Sequence, residues 1–188
     1  MTKMTRKLLL CLLSLFLYAS LSAQLEAAHI FSKGESATGV GAFLHFGFPV
    51  SVTAEVGVEG GVYFFAPNSD HLIMAPFLLT YRHTFDKTGT GFYLEPVAGY
   101  TAGATDIPKT DASGNNEYDA SGNVIDQKLS GPTAGLGLGY LIPSARCPLN
   151  ICLRYERLFV SSAGDPSQNL LALRLSWSLT LGRRLAGK

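Results

Sequence analysis

From Leu171 to Gly182 the chain reads LALRLSWSLTLG, and its side chains alternate without a break. Leu171, Leu173, Leu175, Trp177, Leu179 and Leu181 fall on one face, and Ala172, Arg174, Ser176, Ser178 and Thr180 fall on the other. A β-strand sends successive side chains to opposite sides, so period two defines a strand with one apolar and one polar face. In a soluble protein the apolar face turns to a core; in a membrane barrel it turns to lipid.

The same period recurs upstream. In GVGAFLHFGF, Val40, Ala42, Leu44, Phe46 and Phe48 oppose Gly39, Gly41, Phe43, His45 and Gly47. In VTAEVGVEGGVYF, Val56, Val58, Val62 and Phe64 oppose Glu55, Gly57, Glu59, Gly61 and Tyr63. In IMAPFLLTYRHTF, Ile73, Phe77, Leu79 and Tyr81 oppose Met74, Pro76, Leu78, Thr80 and Arg82. FYLEPVAGY, TAGLGLGYLI and ICLRYE repeat the pattern, placing Glu95, Gly137 and Arg154 on the polar side. Seven strands follow, and the turns between them vary in length.

Outer-membrane barrels pair short periplasmic turns with longer outer loops. The tight turn at Pro49 is then periplasmic, and the strand before it descends. An ascending strand must precede it. The stretch LEAAHIFS (25–32) supplies it, with KGES as the first outer loop. The expected architecture is therefore all-β: an eight-stranded antiparallel up-and-down transmembrane β-barrel with both termini in the periplasm.

The N-terminus fits this placement. Lys3, Arg6 and Lys7 precede an apolar run from Leu8 that closes on Ser20, Ser22 and Ala23. Positive, apolar and small-residue regions in that order make a secretory signal peptide, and a membrane-spanning helix needs about 20 apolar residues. Residues 1–23 are expected to be cleaved, taking Cys11 with them and leaving a barrel domain at 24–188. Three of the 15 basic residues lie in that segment, so 12 remain against 14 acidic ones, a formal −2. That balance gives nucleic acid no electrostatic footprint.

The polar face carries Glu55, Glu59, Glu95 and Glu156 against Arg82, Arg154 and Arg174, with His45 nearby. Counted from the periplasmic strand ends, His45, Glu55, Arg82, Glu95 and Arg154 lie low, and Glu59, Glu156 and Arg174 lie higher. Eight strands leave an interior just wide enough for side chains to fill. Charges there cost several kcal/mol each unless paired. A mixed-sign, ion-paired plug is the expected reading; a polar channel is the alternative. Inward glycines leave room for the longer side chains. Phe48, Phe64, Phe85, Phe92, Tyr100 and Tyr140 stand near strand ends on the apolar face, as interfacial girdles do.

The longest outer loop, Thr105 to Lys128, holds DASGN twice, from Asp111 and from Asp119. Asp first and Gly fourth suit a turn in which the carboxylate bonds local backbone and Gly takes positive φ. Asp111, Asn115, Glu117, Asp119, Asn123 and Asp126 could offer oxygen to calcium, but their spacing departs from the EF-hand loop. Two turns are the expected reading, with no metal and no cofactor. Cys147 and Cys152 flank PLNI at a periplasmic turn. The oxidising envelope permits a disulfide between them, while two free thiols are equally open. Ser69, Asp70 and His71 adjoin in NSDH, but a triad needs convergent geometry that adjacent residues rarely give.

The strand pattern, with GFPVSVTAEVGVEGGVYF, MAPFLLTYRHTF, GFYLEPVAGY, GLGLGY, LRYERLF and LALRLSWSL, resembles the small outer-membrane β-barrel proteins of the OmpA/OmpX-like, porin-family type. The resemblance covers nearly the whole mature chain. It implies a barrel embedded in outer-membrane lipid and inserted by the outer-membrane assembly machinery. One departure is the end: GRRLAGK follows Leu181 where such proteins often finish on an aromatic residue. The expected role is structural or surface interaction through the outer loops, without catalysis. A narrow porin, a lipid-modifying enzyme and a soluble lipocalin-like binder with every face inverted are the alternatives.

Overall fold

The computed structural model describes residues 20–31, 36–66, 72–105, 113, 115–119, 121–125, 129–143, 148–160 and 167–179. Eight strands form one closed barrel: β1 (Ser20–Phe31), β2 (Ser36–Pro49), β3 (Ala54–Phe65), β4 (Leu72–Thr84), β5 (Gly91–Thr105), β6 (Gly131–Ile142), β7 (Leu149–Leu158) and β8 (Gln168–Leu179). Each strand pairs antiparallel with the next, and β1 closes the ring against β8 from Leu21↔Leu179 to Phe31↔Asn169. The up-and-down barrel read from alternation is the fold that forms.

The first strand is longer than LEAAHIFS. It starts at Ser20, and residues 20–24 pair with β2 while 21–24 also pair with β8. The physical reason is that parity continues upstream: Ser20 and Ser22 turn inward to Glu55 and His45, and Leu21 and Ala23 alternate with them. The expected mature terminus at Gln24 thus falls inside β1.

Two prolines interrupt the ladders. Pairing of β3 with β4 skips from Gly60↔Phe77 to Tyr63↔Met74, and Pro76 lies in the gap. Pairing of β4 with β5 skips from Thr80↔Val97 to His83↔Leu94, and Pro96 lies there. Proline has no N–H to give to a ladder. Register is unchanged across both gaps, so the facing of side chains survives.

Facing follows the sequence throughout. Val40, Phe77, Leu79, Phe92 and Leu173 are 55–64% exposed on the outside of the barrel, while Glu59, Glu95, Arg154 and Arg174 are at most 1% exposed within it. An apolar exterior around a charged interior is the reverse of a soluble lipocalin-like barrel, so that alternative is corrected. The short β4–β5 turn is set by Asp86: its carboxylate accepts from the Thr88 N–H at 2.9 Å, and Gly89 follows at φ 74°. Gly89 also packs against the Val52 carbonyl of the neighbouring turn, where a Cβ would not fit.

Candidate functional site

The interior has two layers. The lower one, toward the end that carries the short β2–β3 and β4–β5 turns, is ionic. Arg154 of β7 is its hub: Nη1 lies 2.5 Å from Glu59 and 2.9 Å from Glu156, and Nη2 lies 3.1 Å from Glu95. Arg174 of β8 is the second hub, 2.9 Å from Glu59, 2.7 Å from Glu95 and 3.2 Å from Glu26. The Glu26 contact lies off the hydrogen-bond direction, so it is charge attraction without a formed bond. Tyr63 Oη donates to the other oxygen of Glu26. Gln24 completes the ring, its amide oriented to donate to Glu59 and accept from Arg174, each at 3.1 Å.

Glu95 links this cluster downward. It accepts from Arg82 at 2.7 Å, and Arg82 reaches on to Glu55 at 3.3 Å near the short-turn mouth of the barrel. Arg82 also stacks 4.8 Å over the Tyr93 ring, whose hydroxyl donates to Asn150 at 2.6 Å. Arg82 and Glu55 keep 14% and 21% of their side-chain surface exposed and line a small vestibule of about 110 Å³ at that mouth.

Seven of the eight charged residues singled out in the sequence join by ion pairs. His45 is the exception. It is buried but meets hydroxyls instead: Nε2 sits 3.1 Å from Thr80 Oγ1, and Nδ1 sits 3.5 Å from Ser22 Oγ. Two corrections follow. The low and high groups are not separate, because Arg154, counted low, bonds Glu59, counted high. Strands of unequal length tilt around a barrel, and an arginine side chain spans more than one row. Glu26 is the acid that sequence reasoning missed. Its signal was available, since it alternates with Leu25 and Ala27, but the first strand was inferred from loop parity rather than from its own pattern.

The inward glycines have the role expected of them. A Cβ on Gly57 would run into His45, one on Gly47 into the Glu55 carboxylate, and one on Gly139 into Tyr93.

The upper layer is apolar. Ile30, Phe43, Tyr63, Phe65, Leu72, Met74, Leu129, Leu158 and Leu170 pack together, each at most 5% exposed. Phe43 meets Tyr63 edge-to-face at 4.7 Å, and Tyr63 meets Phe65 at 5.6 Å. Tyr63 belongs to both layers: its ring packs in the cap while its hydroxyl reaches Glu26. An enclosed void of about 10 Å³ separates the layers beside Glu156, Thr101, Thr133 and Gln168, room for about one water.

In the long outer loop the second DASGN copy makes the turn read from its letters. Asp119 Oδ1 accepts from the Ser121 and Asn123 N–H groups at 2.8 and 2.9 Å, Gly122 has φ 82°, and Tyr118 bridges to Val124. Hydrogen bonds from the Asn123 backbone and side chain hold the Asp119 carboxyl below the usual carboxylate range. Most of the first copy, and all of Ser69, Asp70 and His71, lie outside the described residues. Among the described residues no group of His, Cys, Asp or Glu is arranged to hold a metal. Cys152 is a free thiol buried in the lumen beside Gly137; Cys147 lies outside the described residues.

No family model and no curated protein matches the chain. Among solved structures it is similar to Ail, the attachment invasion locus protein of Yersinia pestis, at 11% identity over 86% of this chain and 97% of that one, with a TM-score of 0.58. It is also similar to Neisserial surface protein A, at 17% identity over 84% and 95%, with a TM-score of 0.55. A second Ail structure, in complex with the heparin analogue sucrose octasulfate, matches at 12% identity over 86% of this chain and 97% of that one, with a TM-score of 0.55. At such identities the likeness is one of fold. The fold is that of the small, OmpA/OmpX-like outer-membrane β-barrels.

Proposed function

We propose that this chain is an integral outer-membrane barrel whose lumen is plugged and whose work is done by its outer loops. The observation that carries the reading is the facing: an apolar wall outside, and a fully buried cluster of two arginines and four glutamates inside. A hydrocarbon solvent requires the first. Ion pairing throughout the second makes a filled interior sustainable. The apolar layer above the ionic one seals it from the outer side, and the span 105–128 is the main surface for a partner. In this reading residues 1–23 are a cleaved signal peptide, so that cleavage shortens β1 to begin at Gln24 and removes the Ser20 and Ser22 contacts with Glu55 and His45, and the assembly machinery of the outer membrane inserts the barrel. The surface roles carried in the names of Ail and Neisserial surface protein A accord with it.

Fractionation with a heated-versus-unheated gel tests residence. The expected result is recovery in the outer-membrane fraction and a mobility change on boiling. Recovery in the soluble periplasm would contradict it. Lipid mass spectrometry of expressing cells tests the absence of catalysis: unchanged lipid masses are expected, and a new deacylated or acylated species would make the barrel an enzyme.

A further inference from the structure

The boundary between the two layers of the lumen holds an enclosed polar void of about 10 Å³. Four consecutive strands bring an oxygen-bearing side chain to it: Thr101 from β5, Thr133 from β6, Glu156 from β7 and Gln168 from β8, each at most 8% exposed. Tyr63 of β3 completes the wall, and Leu158 and Leu170 of the apolar cap line it as well. Two adjoining inward rows build the site. Thr133 pairs with Leu158 and Leu158 with Gln168; in the next row Gly135 pairs with Glu156 and Glu156 with Leu170. Gly135 has no side chain to take up the space beside Glu156, and a Cβ there would lie 2.8 Å from Glu156 Cγ.

The lining can hold a ligand. Thr101 Oγ1 and Thr133 Oγ1 share one hydrogen bond at 2.7 Å. One hydroxyl donates in it and the other accepts, so both oxygens keep lone pairs. Glu156 accepts from Arg154 through Oε1 at 2.9 Å. Cavities that stay empty are apolar, whereas polar ones of water size are occupied. A void lined by a carboxylate, two hydroxyls and an amide therefore has an occupant.

Charge decides which occupant is favoured. The guanidinium that faces Glu156 is already divided, since Arg154 also bonds Glu59 and Glu95. Among the described residues five luminal carboxylates, Glu26, Glu55, Glu59, Glu95 and Glu156, meet three guanidinium groups, those of Arg82, Arg154 and Arg174. In a low-dielectric interior a positive charge beside Glu156 is favoured over a neutral water. Carboxylate, hydroxyl and amide oxygens suit a hard cation. Calcium takes about 6–8 oxygens and usually several carboxylates, so a single carboxylate suits a single charge. A void of water size fits an ion as large as potassium.

We propose that this void binds a monovalent cation of potassium size, held by Glu156, Thr101, Thr133 and Gln168, and that the ion ties the ionic layer to the apolar cap. The inference needs the closed barrel and not its residence in a membrane. The test has two parts, both on the full refolded barrel. Crystals soaked in rubidium chloride are expected to show an anomalous peak in the void beside Glu156. A void without rubidium would overturn the proposal and leave water as the occupant. Urea unfolding in neutral phosphatidylcholine vesicles then compares potassium chloride with choline chloride, whose cation is too large for the void, at equal ionic strength. The unfolding equilibrium constant is expected to fall in potassium by a factor of one plus the potassium concentration over Kd, about tenfold when potassium is at ten times Kd. Glu156→Gln should lose that response and Thr133→Val should weaken it, while Asp119→Ala, outside the barrel, should keep it. Equal stability of the wild-type barrel in the two salts would overturn the proposal, as would a potassium response that survives unchanged in both lumen variants. Stability that follows pH and ignores potassium would show that a proton balances the carboxylates, and would overturn it too.

Discussion

The lower and upper halves of the lumen are built from opposite materials. Below, charges meet charges: Arg154 and Arg174 each touch three carboxylates and have no exposed surface. Above, rings and aliphatic chains fill the same width. The ionic half is brittle, because each arginine stabilises several carboxylates at once, and removing one leaves the others buried without a counter-charge. The apolar half is forgiving, because a lost methylene costs its own contacts and a local cavity. The two halves close the barrel by different means, and Tyr63 joins them.

The largest expected effect is therefore in the lower half. Arg154→Met keeps an unbranched, flexible side chain but strips the guanidinium from Glu59, Glu95 and Glu156. We expect a loss of about 3–5 kcal/mol, read as an earlier midpoint in urea unfolding of the lipid-refolded barrel. A smaller effect is expected above. Leu170→Ala, in the apolar cap, should cost about 2–3 kcal/mol, the low end of such truncations, because the cap adjoins the outer loops and can settle into the gap. If the two losses came out equal, the contrast between the halves would fail.

A glycine test sharpens it further. Gly57→Ala directs a methyl at His45, the Thr80 hydroxyl and the Phe46 backbone carbonyl. His45 is held by hydrogen bonds and not by ion pairs, so its ring can shift, while the Phe46 carbonyl must move with the strand, and we expect about 1–3 kcal/mol in the same unfolding assay. The smallest effect lies outside the barrel. The Asp119 carboxyl is held below its ordinary range by hydrogen bonds formed on folding of the hairpin. Its contribution is present above the unfolded carboxylate pKa and is lost as pH falls through the lowered folded value. Amide hydrogen exchange at Ser121 and Asn123 should therefore quicken only in strong acid, with barrel amides unchanged. Asp119→Ala should abolish that pH dependence.

How much of this was legible in the sequence follows from the same contrast. Strand facing was legible because period two is a local property: LALRLSWSL states its own two faces, and Leu171 to Ser178 take them. The second DASGN turn was legible for the same reason, since every bond it makes lies within five residues. The pairing of Arg154 with Glu59 was not, because it spans 95 positions and depends on how tilted strands bring unequal depths together. The apolar cap was missed differently. Phe43, Tyr63 and Met74 were placed correctly on the inward face, yet each alone reads as an interruption of a polar row. Only closure of the ring shows that they share one height. Thr101, Thr133 and Gln168 were passed over because inward hydroxyls and amides are ordinary until the ring shows which of them share a void.

Single-channel recording in a planar bilayer tests the central claim, that the two halves together close the lumen. The purified, heat-modifiable barrel is expected to insert without discrete conductance steps at any moderate voltage. Stable, uniform openings of the wild-type protein would contradict the account, since a conducting path would have to cross both the Arg154–Arg174 cluster and the apolar layer above it.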